Sequence, residues 1–405
     1  MSEHANPPGS IGEGTPTYTL WQLVLYFLKL GTIGFGGPVA LVGYMHRDLV
    51  EQRKWISESD YKEGMTLSQL APGPLAAQLA IYLGYVHFRI LGATLAGVAF
   101  VIPSFVMVLG ISWAYVEYGG LPWMQSVFYG VGAAVIGIIF MSAKKLTEKS
   151  IGKDRLLWAI YLVLAAVTIA TATEFAILFI AAGVLVWLKR APPKSWKGGG
   201  TMMGVTAVPL AAGIAATAGS AGMLGQIALF FAKAGAFVFG SGLAIIPFLY
   251  SGAVVEHQWL TERQFVDAVA IAMITPGPVV ITVAFIGYLV AGVAGAVVAA
   301  IATFLPCYLL TIIPAPYMKK HGKRPAIIAF VDGVTAAAIG AIAGSVVVLA
   351  YQSIIKGMSF VEMGPKILIA LGTIALLHYF KKLQEPLVVL GAAALGMLIY
   401  PLVHG

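Results

Sequence analysis

The sequence has a single cysteine, Cys307, so it can form no internal disulfide and no cysteine-based metal site. It is also short of charge. Only 10% of its 405 residues are Asp, Glu, Lys or Arg, against about 25% in an average soluble domain. Acidic residues are the scarcer sign, 17 against 25 basic ones, which leaves a net charge of +8. That excess does not mark a nucleic-acid binder, because the basic residues sit between long uncharged stretches, as in loops flanking membrane spans. The same composition excludes a cytosolic globular enzyme and a disordered chain: 59% of the residues are hydrophobic and mean hydropathy is +0.89. Residues 1–18 contain no Lys or Arg and no cleavage pattern, so they read as a disordered cytoplasmic tail and not as a signal peptide.

What the chain does have is apolar sequence, broken by 47 glycines and 21 prolines. A spanning helix needs roughly 20 apolar residues. Uncharged runs lie between Arg89 and Glu117 and between Glu117 and Lys144, with two shorter ones at 156–173 and 175–188. The order recurs at 292–318, 325–352, 367–380 and 386–403.

That recurrence is an internal duplication. An offset of 204 sets FLKLGTIGFGG, from Phe27, on FAKAGAFVFGS, from Phe231, and pairs Trp55 with Trp259. It also pairs Pro72-Gly73-Pro74 with Pro276-Gly277-Pro278; beyond a one-residue deletion the offset is 203, pairing Pro103 with Pro306 and Gly130 with Gly333. Repeats of this kind are a common build of secondary transporters. The first repeat covers 19–197 and the second 223–405. Between them, residues 198–222 read as a linking transmembrane helix, because Gly198 to Ala232 is 35 positions without a charge.

An odd number of crossings inverts the second repeat. The basic loops agree. Lys144, Lys145, Lys149, Lys153 and Arg155 form one, Lys189, Arg190, Lys194 and Lys197 another. In the second repeat, Lys319, Lys320, Lys323 and Arg324 occupy the loop whose first-repeat counterpart, YVEYGGLP, has no basic residue. Positive charge marks the cytoplasmic side. The basic stretch 46–62 and Arg89 then lie on one side, so the Pro-Gly-Pro segment between them enters and leaves by the same face. The expected fold is therefore an all-α polytopic membrane protein of two inverted repeats with discontinuous or re-entrant helices, about nine full spans plus four hairpins, roughly thirteen segments.

Two break motifs carry the candidate chemistry. Gly34-Phe35-Gly36-Gly37-Pro38 interrupts the first apolar segment and Pro72-Gly73-Pro74 the second. Pro and Gly end one helix and begin another. A helix starting there aims free N–H groups and its positive dipole end at the break, which suits an anion without any side-chain charge. The second half repeats both breaks at Gly240-Ser241-Gly242 and Pro276-Gly277-Pro278. Lys29 and Lys233 share one repeat position in apolar surroundings, and a charge in such a place usually marks a substrate path or a snorkelling side chain. Gln69 and Gln78 flank Pro-Gly-Pro and either donate to an oxyanion or satisfy backbone freed by the break. Asp332, opposite Tyr129 in the repeat, is a candidate proton-coupling acid or a solvated helix-end residue. Ser241 with His378 would be needed for an intramembrane hydrolase, but no third relay member follows. Cys307 pairs with Ser104 as a small packing residue.

These residues resemble the chromate ion transporter family of bacterial inner membranes, in its long two-domain form. The likeness rests on Gly34–Pro38, the Arg47–Trp55 stretch, Gln69–Pro74, and their echoes at Phe239–Gly242 and Thr275–Pro278, and it runs from about Leu20 to the C-terminus. The resemblance implies chromate export driven by membrane potential or proton gradient, conferring chromate resistance. Sulfate is the alternative substrate and a passive anion channel the alternative mechanism. Protons are the candidate coupling ion, the lipid bilayer is the surrounding partner, no cofactor is called for, and a homodimer stays open. Ser241-Gly242 departs from Gly37-Pro38, so the two tips are expected to be unequal.

Overall fold

Helix starts in a computed structural model follow local capping. Thr19 Oγ1 accepts the Gln22 N–H at 3.3 Å, while Gln22 Oε1 accepts the Thr19 N–H at 2.8 Å. The structure describes residues 17–34, 37–118, 122–171, 176–192, 222–237, 239–240, 245–317, 324–355, 360–380, 383 and 385–404. The first repeat comprises α1 (Leu20–Ile33), α2 (Gly37–Met45), α3 (Glu58–Leu70), α4 (Leu75–Tyr118), α5 (Pro122–Ser150), α6 (Arg155–Thr171) and α7 (Ala176–Arg190). The second comprises α8 (Met223–Phe237), α9 (Ile246–Tyr250), α10 (Glu262–Ile274), α11 (Thr282–Ile312), α12 (Pro325–Ala350), α13 (Phe360–Tyr379) and α14 (Glu385–His404). The linking helix expected at 198–222 falls almost wholly outside the described residues, as do Phe35, Gly36, Ser241 and Gly242.

The duplication reaches backbone irregularities that no apolar pattern encodes. Ser57 caps α3 as Thr261 caps α10. π-helical turns occur at His46–Gln52 and at Ser251–Glu256. Lys54 and Gln258 take φ of 53° and 51°, and Arg89 and Gly292 take 53° and 60°. Arg89 divides α4 into arms 75–88 and 90–118; Ala291 and Gly292 divide α11 likewise.

Gly84 meets the Gly92 carbonyl and Gly97 meets Ile81, so the arms of α4 fold back on each other about residue 89. Gly64 of α3 sits against Tyr82 and Leu79, which makes α3 and the first arm of α4 a second antiparallel pair, closed at Pro72-Gly73-Pro74. Near the start of the chain, the Tyr26 hydroxyl donates to Asp48 Oδ2 at 3.4 Å, bringing α1 back against the turn after α2. The approaches at Gly64, Gly84 and Gly97 depend on small residues, as in other membrane helix pairs.

The repeats are also exchanged. α5 packs on α13 and α14 of the second repeat, while α12 packs on α6 and α7 of the first. The glycines permit it: Gly137 meets the Ala370 carbonyl and its repeat mate Gly340 the Tyr161 carbonyl. Among the described residues, six helices are long and apolar enough to cross a membrane, against nine read from sequence: α6 and α7 are only 17 and 15 residues long, and the expected linking helix lies outside the described residues. Their outer faces expose Leu, Ile and Val, with Trp21, Trp113, Trp123 and Trp158 also exposed, the pattern of interfacial aromatics around a lipid-facing surface. One boundary moves. Tyr18, expected in the tail, is buried, stacks on Trp55 at 4.8 Å and bonds His87 Nδ1 at 2.7 Å.

Candidate functional site

The four breaks converge. Gly73 and Pro74 pair in parallel with Phe239 and Gly240. On the other side of the junction, the Gly277 N–H donates to the Gly34 carbonyl at 2.9 Å. Each tip of one half therefore meets the non-equivalent tip of the other half. Gly73 and Gly277 have φ of +144° and +96°, which a side chain would strain. Space is also lacking: a Cβ on Gly73 would lie 2.7 Å from Gln78 Cδ and 2.9 Å from Cys307 Sγ, and one on Gly277 would strike Ser104 Oγ.

Ser104 and Cys307, the paired small residues, thus each support the opposite half's Pro-Gly-Pro tip. Ser104 Oγ donates to the Pro276 carbonyl at 2.7 Å, and both residues have no exposed surface. Gln78 Nε2 donates to the Pro72 carbonyl at 2.8 Å, and its side chain is fully buried. This bond satisfies backbone freed by the break, one of the two roles read for it. Thr282, its repeat mate, turns its hydroxyl to the Val279 carbonyl at 2.7 Å instead. The halves differ here. α4 begins directly after Pro74, whereas a 3₁₀ turn at Val279–Ile281 separates Pro278 from α11. The first turn of α4 has N–H groups without helical acceptors, in a buried place whose described tip residues carry no side-chain charge.

The lysines stand elsewhere. Lys29 and Lys233 are exposed on α1 and α8 and do not join the buried tips; Lys29 follows Trp21 and Leu25 on one exposed helical face. A long stem can carry an ammonium out to polar surroundings, so apolar neighbours in sequence did not imply an inward direction. Gln69 is also exposed. Asp332 is ion-paired with Arg190, which bonds Asp154 as well. Among the described residues no cluster of His, Cys, Asp and Glu could hold a metal ion.

Sequence reasoning passed over Asp267. It lies on α10, 3% exposed, and accepts the Tyr115 hydroxyl of α4 at 2.8 Å. The charges of Arg263 and Lys366 act on it. The signal was available: the 204 offset that pairs the tips also pairs Asp267 with Glu63, putting an acid at one position in both halves.

A polytopic helical membrane protein, duplicated and interrupted by glycine and proline at its centre, has the build of a transporter. The sequence profile described as chromate transporter matches residues 21–187 and 225–397, so the chain belongs to the chromate transporter family, a family of transport proteins and not of enzymes. The chain is 67% identical to the chromate transport protein of Cupriavidus metallidurans over 98% of both chains. It is 59% identical to a probable chromate transport protein of Synechococcus elongatus, over 95% of this chain and 97% of that one. A chromate transport protein of Pseudomonas aeruginosa is 32% identical, over 95% and 94%. No solved structure matches.

Proposed function

We propose that the protein is a secondary transporter that exports chromate, a tetrahedral dianion, across the bacterial inner membrane, and that this export confers resistance. The observation carrying the reading is the meeting of the interrupted helices, backbone to backbone, at Gly34–Gly277 and Gly73–Phe239. Discontinuous helices at a repeat interface are where secondary transporters bind substrate. The names of the Cupriavidus and Synechococcus relatives supply chromate as that substrate.

In this reading backbone N–H groups at the tips take the oxyanion. Gly36, Gly37, Gly73, Gly240, Gly242 and Gly277 let the main chain approach it, while Pro38, Pro72, Pro74, Pro276 and Pro278 hold the helices broken. Phe35 and Ser241, outside the described residues, belong to the same proposed site. By bonding the Pro72 carbonyl, Gln78 removes a negative dipole end that would repel an anion. Lys29 and Lys233, exposed as they are, act at longer range. The repeats are inverted, the hairpins are re-entrant, and with the linking helix at 198–222 the chain makes roughly thirteen membrane segments. Sulfate has the same charge and shape, so it competes.

The test is chromate uptake into inverted membrane vesicles, with sulfate as competitor and with pH gradient and potential collapsed separately. Concentrative uptake that needs at least one gradient is expected. Accumulation surviving both collapses, or none with both gradients present, overturns secondary export.

A further inference from the structure

The two halves are not in the same state. On α10, Val266, Ala270 and Met273 are buried, and the helix packs on α5 and α14. Their counterparts on α3 are Lys62, Thr66 and Gln69, all exposed, and among the described residues α3 has no comparable packing on α12 or α7. This face of α10 is covered by α5 and α14, while the matching face of α3 is exposed among the described residues. Asp267 lies in the sealed seam, while its mate Glu63 is half-buried.

The seam holds a small charge network. Tyr115 reaches Asp267 from α4, Arg263 acts from the same helix one turn earlier, and Lys366 acts from α13. Glu362, also on α13, acts on Lys366. From α5, Tyr129 lies under Lys366 at 5.0 Å and bonds the Glu362 carbonyl at 2.7 Å, with Tyr400 of α14 stacked edge-on at 5.7 Å. The 3₁₀ turn Val279–Ile281 and α11 bring no Asp, Glu, Lys, Arg or His, and the turn Tyr351–Ile355 brings only the exposed Tyr351. Two acids thus balance two bases across the seam. A buried carboxylate among such groups is costly unless its charge is used or compensated.

We propose that Asp267 is the proton-binding group of the transport cycle. Ionised, its carboxylate is held by Tyr115 and attracted by Lys366, which ties α10 to α4 and α13. When a proton from water forms an O–H bond on that carboxylate, the attraction is lost and the seam can open; loss of the proton to water on the other side restores it. This rests on the transporter reading above.

The experiment uses reconstituted full-length protein, with chromate accumulation under an imposed pH gradient measured beside chromate–chromate exchange at equal pH. Asp267→Asn is expected to lose pH-driven accumulation and to keep exchange, because exchange requires no net proton movement. Asp267→Glu is expected to regain pH-driven accumulation with its pH profile displaced. Retention of pH-driven accumulation by Asp267→Asn overturns the proposal. So does loss of exchange in both variants, which would make the residue structural. Wild-type protein that moves no chromate at all would instead overturn the proposed function.

Discussion

The Gly277 N–H meets the Gly34 carbonyl at 2.9 Å, a backbone hydrogen bond between residues from different repeats at the junction of two helix breaks. Its partner contact, Gly73 against Phe239, does the same from the other side. In the proposed function the main chain binds the anion at this junction, so changes that add nothing but a methyl group there should disturb transport.

Gly73→Ala and Gly277→Ala should each abolish chromate transport. A residue with a Cβ in such a conformation costs about 1–2 kcal/mol before any clash, and at Gly277 the Ser104 hydroxyl already fills the space. Gly43→Ala and Gly110→Ala, where a Cβ would meet nothing within 4 Å, should leave transport unchanged. Vesicle uptake of all four variants, with membrane levels matched, measures the contrast.

Ser104→Ala should weaken the fold by about 1–3 kcal/mol, the cost of a buried carbonyl left without its donor. The affected group is Pro276 of the opposite repeat. Thermal unfolding in detergent reads the loss, and a smaller loss for Ser112→Ala is expected, because Ser112 bonds only within its own helix.

The tips were legible in the sequence because glycines and prolines that stay in register reveal the duplication, and Pro-Gly-Pro interrupts a helix in both halves. The exchange of α5 onto α13 and α14 was not, since it depends on which small-residue faces meet in space. Direction along a helix face was the other gap. Lys29 has the same apolar neighbours whether it points in or out, and Asp332 drew notice by being unmatched in the repeat when the matched acids, Glu63 and Asp267, carried more information.

A cysteine at Thr66 should react with a membrane-impermeant thiol reagent supplied on both faces of the membrane, while one at its counterpart Ala270 should not. Thr66 is exposed and Ala270 is 1% exposed. The native Cys307 is fully buried and should stay silent in the assay. Labelling of both sites at equal rates would mean that the halves are not held in different states.

Asp154 gives a pH-dependent prediction outside the membrane spans. The Arg190 guanidinium and the Leu157 N–H hold its carboxyl below the usual carboxylate range. A carboxyl that ionises more readily folded than unfolded adds stability at neutral pH and loses it as pH falls through the lowered value. Asp154→Ala should therefore cost stability at pH 7, about 1 kcal/mol for the lost cap of α6, and the gap to wild type should narrow below the ordinary carboxylate range. Melting temperatures across pH check this.

The central claim is that chromate is held by main chain where the four tips meet. Chromate uptake into inverted vesicles containing Gly277→Val, compared with wild type and with Lys29→Gln/Lys233→Gln, addresses it most directly. The tip substitution should eliminate uptake, while the double lysine variant, altered only at exposed positions, should retain saturable uptake with weaker affinity. Wild-type uptake in Gly277→Val, or complete loss confined to the lysine variant, would contradict the account.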